Sequence, residues 1–162
     1  MKMMVRAGLV LIAAGALSLF AGQAATPDSL AGVKTKAEID ALVAKVRSGE
    51  LKGAQNLFER DKGPYRVYTS FIDKRKGAAD LHGADDEIFL IVSGAARVTL
   101  GGEITDKKST AENEFRGSII KGGTTSSVAA GDMISIPAGT AHQMDAGQGQ
   151  VLYLVIKITG RR

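Results

Sequence analysis

The chain has no cysteine. That absence excludes disulfides, iron–sulfur clusters, thiolate zinc sites, covalently attached haem and a cysteine nucleophile, leaving oxygen and imidazole as the available chemistry. Tryptophan is missing too, and 162 residues hold only five Phe, three Tyr, three Pro and two His. No block of one charge sign is present: 21 Lys and Arg against 17 Asp and Glu are scattered along the chain. With so few aromatic platforms and one short basic turn at Lys74-Arg75-Lys76, which reads as a solvated loop, nucleic acid is not an expected partner. The sequence carries no G-x-G-x-x-G, P-loop or G-x-S-x-G pattern, so nucleotide cofactors and a hydrolase elbow have no support. Glycine is the residue in excess, at 20 positions, about 12% where about 7% is average. That favours many tight turns over long helices, in a chain of a length for one packed domain.

The N-terminus reads as an address. Lys2 and Arg6 precede an uncharged, mostly apolar run from Ala7 to Phe20, and Ala21-Gly22-Gln23-Ala24 offers small residues for cleavage. The apolar run is shorter than the roughly 20 residues that span a bilayer. We therefore expect a signal peptide over 1–24, no stable membrane insertion after its removal, and an exported protein that is periplasmic or secreted. An uncleaved anchor helix is the rival reading and also leaves the folded part outside the cytoplasm.

Residues 25–63 read as a leader with one amphipathic helix. Thr35-Lys36-Ala37-Glu38 matches a capping box, Ile39, Leu42, Val43 and Val46 form one apolar stripe, and Ser48-Gly49 ends it. From Gly63-Pro64 the texture changes to short runs of β-formers separated by glycine turns. Candidate strands are 65–73, 87–92, 95–100, 124–128, 133–136, 142–146 and 151–158, with turns that include Ser93-Gly94, Gly131-Asp132 and Pro137-Ala138-Gly139. This spacing predicts an all-β antiparallel sandwich or barrel over 64–160. In the last strand Val151, Tyr153, Val155 and Lys157 alternate with Leu152, Leu154, Ile156 and Ile158, and Tyr153 reads as a half-buried structural residue, with a pocket-facing one as the alternative. The segment 103–123 is polar and reads as an irregular insertion, a lid or a variable loop.

Both histidines lie among turn residues and acids. His82 and Glu87 precede Gly94 at the spacing of the first cupin motif, and Gly131, Pro137, Gly139 and His142 fit the second in register. Over 80–146 the sequence resembles the cupin family. The resemblance implies a double-stranded β-helix, or jelly roll, with an N-terminal helix added here, and is compatible with a homodimer. It also implies a divalent metal, Fe, Mn, Zn, Ni or Co, bound by His82, Glu87 and His142. Three positions depart from the family pattern: Asp80 stands where a histidine is usual, Ala146 where asparagine is usual, and Lys74 where glycine is usual.

Elementary geometry is consistent with this set. Asp80 and His82 are two apart, so an extended strand places both on one face. Two imidazoles and a carboxylate form a facial set with open positions. Asp80 is a further candidate, as a fourth ligand, as a partner that orients His82 or as a general base, and Asp85 and Asp86 compete with Glu87 as the carboxylate ligand. The expected function is action on a small-molecule ligand bearing oxygen, of oxygenase, isomerase or lyase type, with Asp80 as the catalytic residue. The alternative is a non-catalytic binding protein for a small polar ligand, with or without metal.

Overall fold

The computed structural model describes residues 32–59 and 63–160, so the expected signal peptide lies outside the described residues. The capping box forms as read. The Thr35 hydroxyl accepts from the Glu38 amide, the Glu38 carboxylate accepts from the Thr35 amide at 2.8 Å, and helix α1 runs over Lys36–Ser48. Gly49 closes it in the left-handed region. Only Val46 of this helix is buried, so its apolar stripe contributes little to the core.

The chain then forms β1 (Gln55–Phe58), β2 (Tyr65–Asp73), β3 (Ala79–His82) and β4 (Asp85–Leu100). There follow β5 (Glu103–Ile104), β6 (Lys108–Ala111), β7 (Glu114–Gly117) and β8 (Ile120–Lys121). The last four are β9 (Thr124–Ala129), β10 (Met133–Ile136), β11 (His142–Asp145) and β12 (Gln150–Thr159). All pairings between them are antiparallel. One face of the barrel is β1, β2, β12, the first half of β4 and β10. The other is β9, the second half of β4, β11, β3, β7 and β6.

Two sequence readings need correction. Residues 87–92 and 95–100 are not separate strands joined by a turn at Ser93-Gly94. They are one strand, β4, that bends and passes from the first face to the second. The register with β12 slips between Leu152 and Tyr153, which face Ser93 and Ile91. Gly94 takes φ +82° at this bulge, and a Cβ there would lie 1.8 Å from the Gln150 carbonyl oxygen, so only glycine fits. Nor is 103–123 an irregular excursion. β7 and β6 extend the second face beyond β3, while β5 and β8 pair and bury Ile104 with Ala79 and Ala141, against Leu81 and Ile120. Gln143 ties this layer down. Its amide donates to the Gly77 and Ser118 carbonyls at 2.8 and 2.9 Å and accepts from the Ile120 amide at 3.3 Å.

The main core lies between the two faces, from Ile72, Phe89, Ile91, Val98, Ile134, Met144, Val151 and Val155 among others. In the last strand Val151, Tyr153, Val155 and Lys157 are all buried and alternate with half-buried residues from Tyr153 on, while Leu152, at the register slip, is buried as well. Because Lys157 belongs to that inward set, the apolar interior gives way to charge at one end of the barrel.

Candidate metal centre

Strand register assembles the polar end. On β3, Asp80 faces His142 of β11 and Arg116 of β7, while His82 faces Glu114 of β7. On the opposite wall Lys157 lies between Arg66 and Glu87 across three strands. The Pro137-Ala138-Gly139 turn delivers His142, and backbone bonds anchor it: the Gly139 amide donates to the His82 carbonyl at 2.8 Å, and the Ala138 amide donates to Asp86 at 2.8 Å.

The three acidic neighbours have separate partners. Asp86 caps that turn, Asp85 pairs with Lys157 at 3.1 Å, and Glu87 faces the imidazoles. Glu87 Oε2 lies 3.3 Å from His142 Nε2 and 3.5 Å from His82 Nε2, and ligand atoms of all three residues fall within 4.8 Å of one another. Metal bonds of about 2.1 Å at right to tetrahedral angles separate donor atoms by about 3.0–3.4 Å, close to the two spacings from Glu87 to the imidazoles. Asp80 lies beside this group and not in it: its Oδ1 accepts from Arg116 Nε at 2.6 Å.

Proton placement follows from the outer partners. His142 Nδ1 donates to the Thr140 carbonyl at 3.2 Å. His82 Nδ1 touches both Glu114 Oε2 and, at 2.9 Å, Lys157 Nζ. A carboxylate can only accept, so Nδ1–H belongs to the Glu114 bond, and Lys157 keeps its bonds to Glu114 at 2.9 Å and to Asp85. Both Nε2 atoms then face Glu87 Oε2, which is buried and has no hydrogen-bond partner among the described residues. Two imidazoles and a carboxylate turned toward one another fit a bound cation.

Burial lowers the affinity of His142 for a proton, against the opposing pull of Glu87, so the imidazole is held neutral as a ligand must be. For Glu114 burial acts the other way, yet the Lys157 hydrogen bond and His82 together hold its carboxyl below the ordinary range. Tyr68, whose hydroxyl lies 3.5 Å from Glu87 Oε1, is kept neutral by burial and by that nearby charge. Burial pushes Tyr153 up to about 12. Tyr153 is not half-buried as read but 7% exposed, and it lines the cavity of about 410 Å³ that these residues enclose.

Among solved structures, the cupin domain of Schizosaccharomyces pombe Cnp3 superposes with a TM-score of 0.50 at 13% identity, over 66% of this chain and 60% of that one. The fold is the cupin fold. A cupin 2 conserved barrel domain protein from Rhodopseudomonas palustris matches at TM-score 0.48 and 22% identity, over 67% and 61% of the two chains. A cupin-2 domain from Rhodospirillum rubrum matches at TM-score 0.49 and 16% identity, over 67% and 60%. The chain thus spans about three fifths of the length of these solved structures. No family model and no curated protein matches the sequence.

Within this cupin barrel, the sequence reading missed Glu114 and Lys157. Glu114 lies in the segment taken for a loop. The sequence reading set Lys157 on the same strand face as Val151, Tyr153 and Val155 without saying which face points inward, and a lysine in an apolar alternation was the available signal. Ala146, at the usual asparagine position, is packed in the main core away from polar duty.

Proposed function

We propose that the protein is an exported cupin that holds one divalent metal through His82, Glu87 and His142 and acts on a small oxygen-bearing substrate in the barrel cavity. The observation that carries this reading is the buried Glu87 Oε2, unpartnered and faced by two imidazole Nε2 atoms at 3.3 and 3.5 Å.

Bound there, an ion of the Fe, Mn, Zn, Ni or Co type would supply Lewis acidity or redox capacity at open coordination positions. The chain's own residues prepare the seat. Glu114 and the Thr140 carbonyl each hold a proton on Nδ1 of their histidine, which keeps both Nε2 atoms free and both rings oriented. Phe89, Tyr153 and Val155 form an apolar wall that excludes water from one side of the cavity. Asp80 is our candidate general base, beside the donors and fixed by Arg116. One Asp80 oxygen is thereby committed to a guanidinium, and this favours the second reading, capture of a small polar molecule without turnover.

Metal analysis of untagged protein tests the centre. We expect near-stoichiometric metal, lost in His82→Ala and in His142→Ala. Folded wild type that takes up no divalent ion refutes the metal reading, and ligand binding without metal selects plain capture. Asp80→Asn with metal retained and turnover lost would select the enzyme. For export, the measurement is the N-terminal residue of protein from an extracytoplasmic fraction, expected to be Ala25.

A further inference from the structure

The inward set of β12 ends on a lysine. Lys157 is only 3% exposed, so its ammonium is out of water and must be answered by the protein. Its neighbour across the strands is Glu87, yet no ion pair joins the two among the described residues. The ammonium turns instead to Asp85 Oδ2 at 3.1 Å and to Glu114 Oε1 at 2.9 Å. Asp85 opens β4 on the first face of the barrel and Glu114 opens β7 on the second, so one side chain joins the two walls. Glu114 depends on this anchor. Its side chain is 29% exposed, with water in reach, and among the described residues its carboxylate has two partners, Lys157 at Oε1 and His82 Nδ1 at Oε2. Held at one oxygen, a glutamate keeps much of its side-chain freedom; held at both, it is fixed. Lys157 Nζ also stands 2.9 Å from His82 Nδ1, so it backs the contact that places the proton on that ring.

We propose that Lys157 is a positioning residue for the candidate metal centre: anchored by Asp85, it holds the Glu114 carboxylate on His82 Nδ1 and so keeps the His82 ring turned with Nε2 toward Glu87. The effect on the ring stands on the hydrogen bonds, and the consequence for metal rests on the reading of the preceding section. A lysine that merely joined the two walls would cost stability when lost, but would leave the ring proton and the affinity for metal as they were.

The test combines titration with cobalt(II), followed by visible absorption, with 15N NMR of the imidazoles in the chelated protein at pH 8. Loss of a partner that orients a ligating imidazole typically weakens metal binding about 10–100-fold. Lys157→Met, which keeps the apolar stem, and Glu114→Gln should each weaken cobalt about tenfold or more and alter its absorption bands. The double variant should bind no more weakly than Glu114→Gln alone, because the lysine acts through the glutamate. In the chelated protein the His82 proton should sit on Nδ1 in wild type and shift toward Nε2 in Lys157→Met. Asp85→Asn, which loosens the anchor and leaves Glu114 and the three donors in place, should move both readouts in the same direction by less, and the same criteria apply to it if Lys157→Met does not fold. The proposal is overturned if the variant leaves the His82 proton or the cobalt affinity unchanged, if the double variant is markedly weaker than Glu114→Gln, or if wild type carries the His82 proton on Nε2. Wild type that takes up no cobalt, yet whose His82 proton moves in Lys157→Met, would refute the metal centre and leave the positioning role standing.

Discussion

A buried acceptor without a donor typically costs about 1–3 kcal/mol, and Glu87 Oε2 is such an atom at 2% residue exposure. Replacing it by an amide supplies N–H donors to the two Nε2 lone pairs with little change of shape. Glu87→Gln is therefore expected to stabilise the metal-free protein by about 1 kcal/mol and to abolish the rise in melting temperature that the proposed metal centre predicts for wild type with a divalent ion. Thermal melts with chelator and with metal check both halves, and a metal-free variant less stable than wild type contradicts the geometry. At this scale the sequence was informative about motif residues and silent about their supports. His82, Glu87 and His142 could be singled out because motif spacing is local. Glu114 and Lys157 meet His82 from 32 and 75 residues away, and only strand register brings them there.

At the scale of elements, β4 shows where local turn chemistry misleads. A Ser-Gly pair between two apolar runs is a hairpin signal, yet a bulge that bends a continuous strand needs the same left-handed glycine. Gly94→Ala combines positive φ with a Cβ driven onto the Gln150 carbonyl. We expect a loss of about 3 kcal/mol or more in urea unfolding, or failure to fold, whereas Gly131→Ala, with φ +96° and open space around the added carbon, should cost only the backbone strain. The strands between 103 and 123 escaped notice for a different reason. β6 is exposed at all four residues and β5 and β8 are two residues each, so neither offers the alternation that reveals a strand. The overall all-β barrel and the capped helix were legible because their signals are local.

For the whole molecule, acid should destabilise in two stages. An unfolded histidine titrates near 6.5, and burial puts His142 lower in the folded state. As pH falls through about 6.5 the unfolded chain binds a proton that the folded chain refuses, and stability drops by up to about 1.4 kcal/mol per pH unit. The Glu114 carboxyl, held below its ordinary 4.5 by Lys157 and His82, contributes stability above that value and loses it as pH falls further. Urea midpoints of the chelated protein across this range should show the first stage in wild type and not in His142→Gln.

The main-chain bond from the Gly139 amide to the His82 carbonyl ties the segments carrying the two imidazoles together before any cation arrives. If the proposed ion binds there, this tie would spare loading the ordering of the Pro137–Gly139 turn, and its heat would then come chiefly from swapping water for side-chain ligands. A seat pre-tied in this way would gain selectivity through rigidity, with an ion too large for it bound more weakly than one that fits.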